Sequence, residues 1–314
     1  MSKVEFLLDP SNKRYKIFPI LYDDLYQFYI KHRSLFWIPE EVVLSKDISD
    51  WKNKLNDDER NFIKMILVFF AISDFIVNEN LSIDQDQITI LEYKLFIDNK
   101  IDRENIHSLM YARLISTFIE DDGGLLDSVQ DIPTIKAKIE WFRKYYDKSF
   151  SHRIVSCAIT EGIFFSGSFC SIDWLKSRNL MPGLCNSNEF ISREEGMHHD
   201  VACYVYKKYV VNKLKEDEII EMIKEAVDIE CNFIKYVLPN NLNGINNEVM
   251  SQYIKFVADR LSIELIDHKI YNLPLPFEWM NSRSQYRKTN FFEHRVTEYN
   301  KYKPEEKIKR LNDY

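Results

Sequence analysis

The sequence predicts an all-α protein built as a single bundle of long helices. Three observations carry this. Glycine is scarce, at 7 of 314 residues, and proline stands at 9, so turns are few and regular elements long. Hydrophobic residues make up 45% of the chain and aromatic residues 14%, enough apolar material for a large core. From residue 57 onward the apolar residues recur at helical spacing. The scarcity of glycine also argues against sandwiches, barrels and phosphate-cradling loops, and neither GxGxxG nor GxxxxGK occurs.

Residues 1–56 carry Pro10, Pro19 and Pro39 and read as an irregular segment packing on the bundle. Asp57, Asp58 and Glu59 suit a helix N-terminus. Phe62, Ile66, Phe69 and Phe70 extend that helix to about residue 80. A long helix covers 86–120, with a break suggested near 99–102, and Gly123-Gly124 ends it. Further helices cover 134–147 and 151–177, the second stopped by Met181-Pro182-Gly183. Helices over 188–211, 216–238 and 247–271 complete a helical domain spanning 57–271. Residues 272–314 form an irregular C-terminal segment and flexible tail. No repeat or low-complexity linker divides the chain.

The net charge of −7, with no basic cluster in the body of the chain, argues against a nucleic-acid partner. The five cysteines (Cys157, Cys170, Cys185, Cys203, Cys231) form no CxxC pair. They read as reduced thiols of a cytoplasmic protein. Met1 to Phe6 leads into no long apolar run, so no secretory signal is expected. The apolar stretch from Met65 to Val77 is interrupted by Ser73-Asp74 and is too short to span a bilayer. No membrane partner is expected.

Two of these helices carry an acid where a core should be. Asp74 sits in Leu67-Val68-Phe69-Phe70-Ala71-Ile72-Ser73-Asp74-Phe75-Ile76-Val77, and Glu161 sits in Ala158-Ile159-Thr160-Glu161-Gly162-Ile163-Phe164. A bare carboxylate in such surroundings costs several kcal/mol or protonates; a buried ion pair or a neutral acid would also account for either one. The histidines separate these readings. Of the seven, only His107 and His198 follow a glutamate by three residues, in Glu104-Asn105-Ile106-His107 and Glu195-Gly196-Met197-His198. Glu and His at i and i+3 share one helical face. One such pair arises readily by chance. Two pairs on separate helices, with two buried acids on two more, match the ferritin-like di-iron pattern. Asp74, Glu104, Glu161 and Glu195 carry four negative charges, which two ferrous ions would balance. Mixed carboxylate and imidazole ligands suit iron or manganese better than structural zinc. His32, His152, His199, His268 and His294 lack this context and read as core or surface residues. Tyr111 lies four residues after His107, on the same face, where a metal centre could oxidise its phenol. Phe165 and Phe169 could line a dry pocket around it, or serve only as core.

These residues resemble the small subunit of class I ribonucleotide reductase of the eukaryotic type. The resemblance rests on Ser73-Asp74, on Glu104-Asn105-Ile106-His107-Ser108 with Met110-Tyr111, and on Glu161-Gly162-Ile163-Phe164-Phe165-Ser166-Gly167-Ser168-Phe169. Met181-Pro182-Gly183-Leu184 and Ile191-Ser192-Arg193 before Glu195-Gly196 add to it. It runs from Tyr15-Lys16-Ile17-Phe18-Pro19-Ile20 to Phe291-Phe292-Glu293 and Glu298-Tyr299. The resemblance implies a ferritin-like bundle with two iron ions per chain, manganese being an alternative. The implied ligands are Asp74, Glu104, His107, Glu161, Glu195 and His198. Tyr111 would hold a radical, with Phe165, Phe169 and Ile191 around it. Trp37 and Tyr299 would relay it towards a cysteine of a large subunit, which reduces ribonucleoside diphosphates. A homodimer that docks on the large subunit through its C-terminal tail is also implied. Spacing alone would leave Trp37 a packing residue and Tyr299 a surface one.

Three departures from the family pattern stand out. Glu194 replaces an aspartate that links the tryptophan to a metal-bound histidine; read alone it is a solvated charge. Leu109 replaces a glutamate. The tail is basic, through Lys301, Lys303, Lys307, Lys309 and Arg310, although it ends in Asp313-Tyr314. A stand-alone di-iron oxidase or oxygenase, a non-catalytic scaffolding paralogue and an iron-storage bundle are the rival readings. Tyr111, Trp37 and Tyr299 argue against the first, the complete ligand set against the second, and chain length against the third.

Overall fold

The computed structural model describes residues 3–119, 124, 129–277 and 279. Tyr299 and the basic tail lie outside the described residues. The chain divides into a unit of residues 1–276 and a second beginning at Phe277. The first contains ten α-helices among its described residues: α1 (Asp23–Arg33), α2 (Ser45–Asn53), α3 (Asp57–Gln87), α4 (Leu91–Phe118), α5 (Pro133–Tyr146), α6 (Phe150–Ile159), α7 (Ser166–Ser177), α8 (Pro182–Tyr209), α9 (Glu216–Val237) and α10 (Asn247–Ile266). No strand occurs among them, only an isolated bridge between Leu242 and Ile245.

The long helix α3 starts where its acids predict. Asn56 accepts from the Glu59 N–H at 2.9 Å, and Glu59 accepts from the Asn56 N–H at 3.0 Å, a reciprocal cap that satisfies two otherwise orphaned donors. The helix runs to Gln87, past the expected end near 80. α4 follows after a three-residue connection and is continuous through 99–102, where the sequence suggests a break. α3 packs along α4, α6 along α8, and α9 along α10. The stretches 57–87 and 150–177 are by length and composition apolar enough to cross a membrane. Their most apolar windows are 71% and 94% buried by neighbouring helices, so this apolarity is core.

Three expectations are corrected. The first is the irregular N-terminal segment, which contains α1 and α2. Their apolar positions are few and their contacts are tertiary: α1 packs on α4, and α2 on α8. The second is Pro182: the preceding helix already ends at Ser177, and Pro182 begins the next one. It occupies the first turn of α8, where its missing N–H costs nothing. Asp47 of α2 accepts from the Gly183 and Leu184 N–H groups at 2.9 and 2.6 Å, so the cap comes from a distant element. A Cβ at Gly183 would lie 2.5 Å from the Val43 carbonyl oxygen, a close approach that only glycine permits. The third is the helix over 151–177, which is interrupted by a π turn at Thr160–Phe164. The extra residue widens the helix at Glu161, as π turns often do at functional positions. A Cβ at Gly162 would lie 2.7 Å from His199 Cδ2, so glycine lets α8 approach this turn.

Candidate metal centre

Asp74 comes from α3, Glu104 and His107 from α4, Glu161 from the π turn, and Glu195 and His198 from α8. All six are buried. Their ligand atoms fall into two overlapping groups, each with all atoms within 4.8 Å of one another. One is Asp74, Glu104 and His107; the other is Glu104, Glu161, Glu195 and His198. Glu104 belongs to both.

The polar atoms at the centre lack ordinary partners. Asp74 Oδ2, both Glu104 oxygens, His107 Nδ1, Glu161 Oε2 and Glu195 Oε1 are buried without a hydrogen bond. Buried polar atoms in native proteins are nearly always paired, and here they converge. His107 Nδ1 is 3.3 Å from Glu104 and 2.9 Å from Glu195, and His198 Nδ1 is 3.2 Å from Glu104 and 3.4 Å from Glu195. This donor set would suit two divalent ions, with Glu104 common to both groups.

The far nitrogen of each histidine is held from outside the cluster. His107 Nε2 lies 2.7 Å from Glu194 Oε2. Trp37 Nε1 donates to the same oxygen at 3.1 Å, and Arg103 donates to the Trp37 carbonyl at 3.2 Å. His198 Nε2 lies 2.8 Å from His32 Nε2, and His32 Nδ1 lies 2.9 Å from Asn99 Oδ1. Burial first, then His198, pushes His32 down to about 2, so its ring stays neutral. Its Nδ1–H donates to Asn99, and its Nε2 accepts from His198. Both cluster histidines therefore turn Nδ1 towards the carboxylates, an orientation fixed by the bond at the other nitrogen.

Burial raises Asp74 well above the usual carboxylate range, and Glu104 adds to it. Burial opposes charge on His107, but Glu104, Glu194 and Glu195 outweigh it and raise its pKa. Burial also raises the Tyr111 phenol, with Asp74 next, so it keeps its proton. Tyr111 is stacked on Phe70 at 4.8 Å between centroids and 5° between planes. Phe169 lies 5.0 Å from Phe70, and Phe165 lies 5.7 Å from it. Ile191 is buried.

Lys100, His32, Asn99 and Phe70 were missed by sequence reasoning. Lys100 is buried and ion-paired with Glu161. Burial opposes its charge, but Cys157 and Glu161 outweigh this and raise its pKa. A signal existed: Lys100, Glu104, His107 and Tyr111 follow one helical face. His32, in the segment read as irregular, offered none. Glu194 is fully buried, not the solvated charge its surroundings in the sequence suggest. Leu109 is exposed. A further cluster brings His199 and Cys203 of α8 against Glu264 of α10.

The family model for the ribonucleotide reductase small chain matches residues 14–276. The protein is 48% identical over 303 residues to a ribonucleoside-diphosphate reductase small chain of Arabidopsis thaliana, covering 95% of its own length and 91% of the relative. It is 47% identical over 304 residues to the ribonucleoside-diphosphate reductase small chain of Vaccinia virus (strain Ankara), covering 95% of each. The solved ribonucleotide reductase Rnr4 homodimer of Saccharomyces cerevisiae superposes with a TM-score of 0.79 at 30% identity, covering 90% of this protein and 93% of that one. The dimanganese(II) NrdF of Streptococcus sanguinis shares the fold, with a TM-score of 0.72 at 16% identity over 83% of this protein and 94% of that one.

Proposed function

The chain belongs to the family of ribonucleotide reductase small chains, and we propose that it generates and stores a radical on Tyr111 for a separate large subunit. That subunit reduces ribonucleoside diphosphates to deoxyribonucleoside diphosphates. The observation that carries this reading is the convergence of unpaired carboxylate and imidazole atoms beside a buried tyrosine. Asp74, Glu104, His107, Glu161, Glu195 and His198 hold two metal ions, which we take to be iron, with manganese an alternative. When bound, the metal pair with dioxygen supplies the oxidant that takes an electron and a proton from Tyr111.

The remaining work falls to the chain's own residues. Glu194 and His32 orient the two imidazoles. Phe70, Phe165 and Phe169 exclude water from the phenol, which protects a radical there from quenching. Trp37, held by Glu194 and Arg103, and Tyr299 relay the hole to the large subunit. The protein acts in the cytoplasm as a homodimer, and its tail docks on the large subunit through Asp313 and Tyr314.

The test is anaerobic loading with ferrous iron followed by oxygen. Wild type should give a tyrosyl electron paramagnetic resonance signal, and Tyr111→Phe should bind the same iron and give none. A Tyr111→Phe protein with an unchanged signal would show that the radical lies elsewhere.

A further inference from the structure

Lys100 is a buried charge that the ligand set does not explain. It lies on α4 four residues before Glu104, is 2% exposed, and pairs with Glu161 Oε1. Cys157 Sγ sits 3.5 Å from its Nζ and 3.4 Å from the same Glu161 oxygen. The other oxygen, Glu161 Oε2, is buried with no hydrogen bond. The carboxylate is thus divided between an internal cation and the cluster.

Glu104 is shared by the two groups of ligand atoms, and Glu195 reaches both, its Oε1 lying 2.9 Å from His107 Nδ1. Glu161 belongs to the second group alone, and the carboxylates gathered there should repel one another when no ion is present. Lys100 is placed against that group and cancels one of its charges. Opposite charges in contact interact strongly at low dielectric, and a cation already seated there opposes a second one.

We propose that Lys100 is a positioning residue of the metal centre: it holds Glu161 Oε1, presents Oε2 alone to the ion among Glu104, Glu161, Glu195 and His198, and thereby stabilises the empty position while lowering its affinity for the ion. This rests on the reading of those residues as metal ligands.

The experiment uses the full chain and manganese(II) alone in oxygen-free buffer, with the free ion followed by electron paramagnetic resonance. Thermal unfolding is measured with and without the ion. Lys100→Met and Lys100→Gln should bind one of the two ions at least about tenfold more tightly than wild type, while Lys100→Arg should stay within about threefold. The metal-free Met and Gln variants should melt below wild type, and saturating manganese(II) should close the gap. A plain structural role lowers melting in both states without tightening binding, and that result overturns the proposal. So does failure of both neutral variants to fold even with the ion present. Wild-type protein that binds no manganese(II) removes the ligand reading, and this inference with it.

Discussion

Replacing Glu194 with glutamine tests how much of the centre depends on a residue that touches no ion. Glu194 Oε2 faces two donors, Trp37 Nε1 at 3.1 Å and His107 Nε2 at 2.7 Å. Its Oε1 is buried without a partner. An amide has two orientations there. Turning its NH2 towards Trp37 and His107 sets donor against donor. Turning its oxygen that way keeps both bonds but buries the NH2 where Oε1 finds no partner. A hydrogen bond to a charged group contributes about 1.5–3 kcal/mol and one between neutral groups about 0.5–1.5, so two weakened bonds lose about 2 kcal/mol. The unpaired NH2 adds about 1–3 kcal/mol.

Part of that loss falls on metal binding, because the bond fixes His107 with Nδ1 inward. Loss of an outer partner of this kind typically lowers metal affinity about 10–100-fold. Glu194→Gln should show this in a metal titration and should support little nucleotide reduction with the large subunit. Glu194→Asp keeps the charge and should remain active. If Glu194→Gln binds metal and supports turnover as wild type does, the carboxylate has no part in orienting His107 or in coupling it to Trp37.

Three further outcomes follow from buried charge. Glu161→Ala should lose at least one metal ion per chain by elemental analysis, because Glu161 Oε2 faces the cluster; two ions bound as in wild type would remove Glu161 from the ligand set. Metal affinity should rise with pH. His198 is pushed up to about 9, burial opposing and Glu195 and Glu104 among the groups favouring its charge, so below that pH an incoming ion must displace a proton. Affinity should gain up to about tenfold per unit between pH 6 and 8 for each proton released, and a flat profile would contradict the role of His198. Lys138→Met should destabilise the fold by about 3–5 kcal/mol at pH 7.5, which lies below the pKa of the Lys138 ammonium, lowered by burial to about 8 with Glu230 opposing. It strips the counter-ion from Glu230, 2.5 Å away on α9, and Lys138 also sits 3.5 Å over the Phe69 ring. Burial raises Glu230 to about 7 with Lys138 opposing. The native state therefore holds a proton that the unfolded chain has lost between about 4.5 and 7, and this contribution falls as pH rises through that window. The variant should lose less at pH 6, where Glu230 can be neutral; equal losses in urea at both pH values would refute the account.

The proposed ligand set is legible because its elements contradict their surroundings. Asp74 and Glu161 interrupt apolar helices, and the two Glu-x-x-His pairs repeat a spacing that puts both groups on one face. The helices were legible from their period, but their joints were not. His199 of α8 packs on Gly162 inside the π turn, and the start of α8 is capped by Asp47, which lies 136 residues before Gly183. Neither leaves a local pattern. Charges in polar stretches were the hardest to place, since burial is decided by packing rather than by neighbours in sequence. The charge count makes the point. Four carboxylates against two divalent ions balance in the sequence, but that tally omits Glu194 and Lys100, both buried. Their signs are opposite, so five carboxylates and one ammonium still leave four negative charges. The balance survives, but its physical content changes: one negative charge belongs to the outer partner of His107, and one of the proposed ligand carboxylates, Glu161, is answered by a lysine before any ion arrives.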